Sequence, residues 1–282
     1  MIIALFPNIQ KKDSKEIAIT IRQFFQQKGI TIVAEEEEAS IIGATPISKV
    51  DKSKIQFLIS MGGDGTILRL FHDYQHLNAP ILGINLGHLG FMADVPVTDI
   101  YPSLQDLLDG KYIVEERLVL QGECDEKQHC FSVNDIVLHR GHNPRLVELA
   151  ISVNGSYLNT FQADGIIVST PNGSTAYSLA AGGPILSPPL EAVVITPICP
   201  HTISNRPIVL TSSQEIQIKY LSTYDPLEVR SDGFPMHNLL TNQTLRITKS
   251  SKKFKLVNLL RRDYFSTLRS KLGWSGKFPY GP

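Results

Sequence analysis

Cysteine is scarce in this chain. The 282 residues include only Cys124, Cys130 and Cys199, an odd, sparse set that speaks for a reducing compartment rather than a disulfide scaffold. Neither sign of charge prevails, with Lys plus Arg at 27 and Asp plus Glu at 27. A neutral chain has no general electrostatic footprint for nucleic acid or an acidic membrane surface, so any anion must be held locally. Long apolar runs are missing as well. Nothing approaches the ~18–20 residues of a membrane span, and the apolar start Met1–Phe6 meets Pro7 without a basic lead, too short for the core of a signal peptide. There is no internal repeat and no low-complexity linker. These absences point to a cytoplasmic protein that binds a small molecule. What is present is an ordinary globular balance, 42% hydrophobic and 19% charged, on a chain long enough for one large domain or two modest ones.

Along the first part of the chain, short apolar runs alternate with amphipathic stretches. Strands are expected over 2–6, 30–34, 56–60 and 81–85, and helices over 13–28, from 66 onward and over 99–108. This alternation predicts an α/β domain over 1–111 with an open, mostly parallel sheet. From Tyr112 the character changes. Alternating segments at 114–122, 133–139, 146–153, 166–169, 192–196, 216–220 and 245–248 are separated by turns rich in Gly, Asn, Ser and Pro. They predict a β-rich domain over 112–262, a layered sheet or sandwich, with one helix over 174–181. A helical tail over 263–282 is expected to return to the first domain.

The strongest local feature is Ser60-Met-Gly-Gly-Asp-Gly-Thr-Ile-Leu-Arg69. Gly62, Gly63 and Gly65 let backbone approach a ligand without interference from a Cβ. The amides of the helix that follows, opening near Thr66, favour an anion such as a phosphate. Asp64 would repel phosphate in a pure anion cradle. Its carboxylate suits a ribose-hydroxyl acceptor, a general base or a metal contact; the plain alternative is a tight turn with an Asp cap. No Lys follows these glycines as a P-loop requires. The dinucleotide fingerprint also fails, because Leu68 stands where Gly or Ala should be.

A second feature is Asn134-Asp135, a polar pair interrupting an apolar strand. Buried polar groups need partners. Acceptors beside an amide donor suit vicinal ribose hydroxyls, while an Asx pair at a strand edge remains the alternative. The third is the segment from Ala163 to Ile185. Its strand ends at Thr170, Pro171-Asn172-Gly173 turns, and Ser174 or Thr175 is placed to cap a helix. The small residues leave room for a flat ring beside Tyr177.

In order and spacing, Gly62–Thr66, Asn134-Asp135 and Asp164-Gly165 through Pro184 resemble the three signature segments of the ATP-NAD kinase family. Asn85–Phe91, Pro200–Pro207 and the ending Arg262 through Trp274 are similar to that family too. The resemblance covers nearly the whole chain. It implies phosphoryl transfer to the 2′-hydroxyl of the adenosine ribose of NAD, with ATP or polyphosphate as donor and Mg²⁺ bound with the donor phosphates. Asp64 would then be the base, with Gly62, Gly63, Gly65 and Thr66 forming the donor loop. Asp64, Gly65, Arg69, Asn134, Asp135, Arg145, Gln162, Asp164, Asn172, Thr175, Ala176, Tyr177, Ser178, Leu179 and Ala180 would contact NAD. A homodimer or homotetramer is also implied, with no nucleic acid or membrane partner.

Three positions depart from the family's pattern. Asn172 stands where Thr is usual, Phe234 follows Asp232-Gly233 where Gln is frequent, and Gln162 occupies a site where some relatives carry Arg. His201 reads as a packing histidine. Cys124, His129 and Cys130 fall one ligand short of a structural metal site. Two other functions share parts of these motifs. A lipid or other small-molecule kinase would share GGDGT but needs no adenosine pocket, and a non-catalytic dinucleotide-binding regulator would not need Asp64.

Overall fold

The residues Ile2 to Phe6 carry no polar side chain, and in the computed structural model Ile3, Ala4 and Leu5 are fully buried. Such a run suits a strand covered on both faces. The structure describes residues 1–87, 89–124, 129–202, 205–274 and 276. His88 of the 85–91 segment, residues 203–204 of the 200–207 segment, and residues 275 and 277–282 of the tail lie outside them. The chain divides into two units, Met1–Glu116 with Lys255–Pro282, and Arg117–Phe254.

In the first unit, strand Ile2–Pro7 pairs in parallel with Thr31–Ala34 on one side and Ile55–Gly62 on the other. The eight-stranded sheet continues through Ile81–Asn85, Phe254–Asn258 and Ile113–Arg117, with Thr45–Pro46 at the opposite edge and the short strand Val95–Pro96 paired with Ile81–Asn85. Helix Ser14–Gln27 buries Ala18, Ile21 and Phe25, and helix Ile100–Leu108 buries Ile100, Leu104 and Leu107, all in the core that covers this sheet. These residues recur at the 3.6-residue period of one helix face. The tail forms helix Tyr264–Leu272, capped by Asp263, which accepts from the Ser266 amide. Its Tyr264 ring lies 6.1 Å from that of Phe91.

The second unit is a sandwich of two six-stranded sheets. One runs Ile208–Thr211, Ala192–Ile198, Gly165–Ser169, Asp135–His139, Leu227–Ser231, Phe234–Leu239. The other runs Ser156–Ala163, Val147–Val153, Ile216–Tyr220, Thr244–Lys249, Leu120–Glu123, His129–Ser132. Alternate residues of both sheets, among them Ile136, Leu138, Ile166, Val168, Leu149, Ile151 and Ile218, share one core. Alternation of this kind is what two facing antiparallel sheets demand.

Three expectations need correction. The run 114–122 is two strands: Ile113–Arg117 belongs to the first sheet and Leu120–Glu123 to the sandwich. The first sheet therefore takes residues beyond 111, and it also takes 254–258, which the sequence reading gave to the β-rich part. The helix expected over 174–181 is a 3₁₀ turn, Gly173–Thr175, followed by the short helix Tyr177–Ala180, because the backbone at Ala176 (φ −101°, ψ −127°) is not helical. Helix Glu36–Ile42 and the strands at 129–132, 156–163, 208–211, 227–231, 234–239 and 254–258 had no counterpart in the expected elements.

Candidate active site

Strand Ile55–Gly62 leads directly into helix Asp64–Tyr74. Gly62 has no space for a side chain, since a Cβ would lie 2.2 Å from the Thr66 hydroxyl. That hydroxyl accepts from the Gly63 amide at 3.4 Å, so Thr66 satisfies one of the donors at the helix start. Asp64 does not cap the helix. Its carboxylate turns to the loop after strand Ile81–Asn85, where Oδ2 accepts from the Phe91 amide at 2.8 Å and Oδ1 accepts from Met92 and Ala93 at 3.1 and 2.9 Å.

Two glycines allow this approach. A Cβ on Gly90 would lie 2.0 Å from Asp64 Oδ1, and one on Gly83 would lie 2.6 Å from Ile67 and 2.7 Å from the Ala93 Cα. Asn85, buried, fastens the same loop: it donates to the Ala93 carbonyl at 3.2 Å and accepts from the Gly87 amide at 2.7 Å. An ionised carboxylate has about four lone-pair positions. Three are taken by backbone amides, and among the described residues one on Oδ2 is left to accept from a hydroxyl. Gly63 and Gly65 differ from the other glycines of the motif, because a Cβ on either would meet nothing within 4 Å. The packing of the chain does not require them to be glycine. A cavity of about 550 Å³ lies alongside, lined in part by Gly65, Thr66 and Arg69. It opens where strands Ile2–Pro7 and Thr31–Ala34 end, the place where open parallel sheets bind ligands.

In the second unit, Asn134 and Asp135 stand at the start of strand Asp135–His139. The Asp232 carboxylate accepts from the amides of Val133, Asn134 and Asp135 at 2.9, 2.7 and 3.2 Å, and the Asp232 amide donates to the Asp135 carbonyl at 3.0 Å. Asp232 and Gly233 have φ of 50° and 83°, the two-residue turn that Asp-Gly forms in a tight hairpin. The 170–173 turn packs on the other side. Thr170 donates to the Val133 carbonyl at 2.6 Å, and a Cβ on Gly173 would strike the Asn134 carbonyl oxygen at 2.1 Å. Asp135 is 5% exposed. Burial, and after it the charge of Asp232, pushes its carboxyl up to about 7.

Asn172 donates from Nδ2 to Asn134 Oδ1 at 2.7 Å and accepts from Arg117 at 2.6 Å. Thr175 donates to the Asn172 carbonyl at 3.3 Å. Tyr177 is 43% exposed; burial of the ring, then the nearby Cys199, Asp164 and Asp135, push its phenol up. Ala176 and Ala180 are exposed and Leu179 half-buried. Asp164 pairs with Arg140 at 2.6 Å.

Other candidates are placed less directly. Ser178 is fully buried and its hydroxyl bonds that of Thr196 at 2.9 Å, so its side chain serves packing. Ser174 is tied to Pro171 and Leu186 rather than to a helix amide. Gln162 is exposed and donates to Glu148 at 2.6 Å, while Arg145 is exposed and lies over the Tyr224 ring at 5.8 Å. Residues that the sequence reading missed are the amides of 91–93, together with Asp232 and Arg117. The Asp-Gly pair between two alternating runs was a legible hairpin signal for Asp232. Nothing local marked the other two.

Among the described residues no group of three or more His, Cys, Asp or Glu could hold a metal, and no helix is long and apolar enough to cross a membrane. Two family models match most of the chain: the ATP-NAD kinase N-terminal domain over residues 3–112 and the ATP-NAD kinase C-terminal domain over 133–259. An NAD kinase of Protochlamydia amoebophila (strain UWE25) is 57% identical over 275 residues, covering 98% of this chain and 99% of that protein. Among solved structures, yeast NADH kinase complexed with NADH matches with a TM-score of 0.85 at 26% identity, over 100% of this chain and 90% of that one. An NAD kinase from Archaeoglobus fulgidus in complex with ATP matches with a TM-score of 0.77 at 23% identity, over 98% of this chain and 100% of that one, a likeness of fold. The architecture, the three motifs and these similarities agree, and the chain belongs to the ATP-NAD kinase family.

Proposed function

We propose that this phosphotransferase moves the γ-phosphoryl group of ATP to the 2′-hydroxyl of the adenosine ribose of NAD, giving NADP and ADP. The observation that carries the reading is the Asp64 carboxylate, fixed by three backbone amides with one lone pair left over. That lone pair accepts the 2′-hydroxyl hydrogen. As the bond from O2′ to phosphorus forms and the bond from the γ-phosphorus to the bridging oxygen breaks, the proton passes to Asp64 and ADP leaves with the electron pair. Phosphoryl transfer passes through a loose transition state, so a rigidly held acceptor that aims the hydroxyl matters as much as its basicity.

Gly63 and Gly65 leave open space at the helix start, and the amides there meet phosphate oxygens. Arg69 lines the adjacent cavity and contributes charge to the same end. Asn134 and Asp135 hold the ribose diol, and Asn172, Thr175, Ala176, Tyr177, Leu179 and Ala180 form the surface against which the dinucleotide lies. Asp164 contributes to its nicotinamide end, with Arg145 and Gln162 outermost. The family's description supports ATP over polyphosphate as donor.

Magnesium fits only as a companion of the donor, since the described residues offer no preformed cage and Mg²⁺ commonly arrives on substrate phosphates. When bound, it neutralises charge on the β- and γ-phosphates. The same reading includes a homodimer or homotetramer in the cytoplasm. A decisive assay mixes the purified chain with NAD, ATP and Mg²⁺ and measures NADP. Accumulation of NADP is expected; its absence, with a lipid alcohol phosphorylated instead, would favour the lipid kinases that share GGDGT.

A further inference from the structure

Arg117 bears on ligand binding through two side-chain amides. Its Nη1 donates to Asn172 Oδ1 at 2.6 Å, and Asn172 Nδ2 donates to Asn134 Oδ1 at 2.7 Å. A guanidinium has only donors, so it admits one orientation of the Asn172 amide, oxygen toward the charge. The NH₂ of Asn172 must then face Asn134, and the oxygen of Asn134 must face back. Reversing Asn172 would set donor against donor and lose the charge-assisted hydrogen bond from Arg117, and reversing Asn134 alone would set its NH₂ against that of Asn172. Asn172 is 9% exposed, so water cannot readily replace the lost partner. The backbone is also fixed: Gly173 packs on the Asn134 carbonyl, and Asp232 holds the Asn134 amide.

We propose that Arg117 is a positioning residue for the ribose: acting through Asn172, it locks the Asn134 side chain with its NH₂ free to donate. This rests on the proposed reading that Asn134 meets the ribose of NAD. The pair then divides the recognition of a vicinal diol. Asn134 donates to a hydroxyl oxygen, and the neighbouring Asp135 carboxylate accepts hydroxyl hydrogens. A diol has both kinds of group on each oxygen, whereas a ligand offering only donors would meet one wrong partner. A chain of oriented amides therefore favours an unmodified diol at this point.

The test is a double-substitution cycle on the full chain, reading the Kd and KM for NAD, the KM for ATP, kcat and the melting temperature. Asn134→Ala is expected to weaken NAD binding about tenfold or more, the loss of one buried hydrogen bond. Arg117→Met is expected to raise Kd and KM for NAD about fivefold, with kcat and the KM for ATP within about twofold, because ground-state and transition-state binding fall together. In an Asn172→Thr background the same Arg117→Met change should cost less than about twofold, since one rotating hydroxyl has no amide orientation to lose. Arg117→Lys keeps a charged donor and should recover most of the affinity that Met loses; if the Met variant does not fold, Arg117→Ala takes its place with the same expected rise in Kd and KM. An equal loss from Arg117→Met in both backgrounds would overturn the relay, as would no loss in either while Asn134→Ala still weakens binding. If Asn134→Ala leaves the Kd unchanged, the ribose reading fails and the relay falls with it.

Discussion

At the scale of single residues, the two carboxylates to which the proposed reaction gives roles have different surroundings. Asp64 is bound by three amides and is fixed in place, and Asp135 is buried beside a second carboxylate and carries its proton up to about 7. In the unfolded chain the Asp135 carboxyl ionises near 3.8. Between that value and about 7 the folded state holds the extra proton, so this group's contribution to stability falls as pH rises through the window and is level above it. Asp135→Asn should flatten that part of the stability profile, as measured by denaturant unfolding from pH 4 to 8. Ligand binding has the opposite slope. A diol that donates to Asp135 favours the ionised form, so NAD affinity should rise about tenfold from pH 6 to 8 as the carboxylate fraction rises around a midpoint near 7. Calorimetry at several pH values checks this; an affinity independent of pH in the parent would remove Asp135 from the diol contact.

Among elements, the glycines of the first motif and of the strand and loop it packs against fall into two classes that the sequence writes with the same letter. Gly62, Gly83 and Gly90 are demanded by neighbouring atoms, whereas Gly63 and Gly65 face open space. Gly90→Ala should lower the melting temperature, since its Cβ would displace the Asp64 carboxylate and strip two or three hydrogen bonds worth about 1.5–3 kcal/mol each. Gly65→Ala should do the reverse, because alanine in a helix is favoured by up to about 1 kcal/mol, yet it should reduce kcat/KM at least about tenfold by filling the space proposed for phosphate. A Gly65→Ala enzyme of full activity would show that the space is unused. The motif itself was legible: strand, glycine turn and helix follow from an apolar run, three glycines and a periodic Ile67, Leu68, Leu70, Phe71. The partner of Asp64 was not, because an amide donor leaves no mark in the identity of residues 91 to 93. Strand Ser156–Ala163 was missed for a related reason. It lies at a sheet edge, largely exposed, and its polar residues read as a turn rather than a ladder. The run 114–122 read as one strand because an apolar pattern carries no sign of a change of sheet at Leu118 and Val119.

At the scale of the whole molecule, each unit has its own core and contributes motifs of the family to which the chain belongs. The balanced charge leaves anion binding to backbone amides and a few placed cations, which fits a dinucleotide and a nucleoside triphosphate better than a polyanionic surface. The chain holds no described metal cage, so removing divalent cations with EDTA should stop turnover and leave the melting temperature within about a degree. A large fall in melting temperature would reveal a structural ion. The central claim is that Asp64 accepts the proton of the 2′-hydroxyl, and the most direct measurement is the rate of NADP formation by Asp64→Asn beside its affinity for NAD. The amide of Asn can still fill much of the same space but is a poor proton acceptor. Turnover is expected to fall by about 10²–10⁴-fold with NAD affinity nearly unchanged; full activity in that variant would contradict the account.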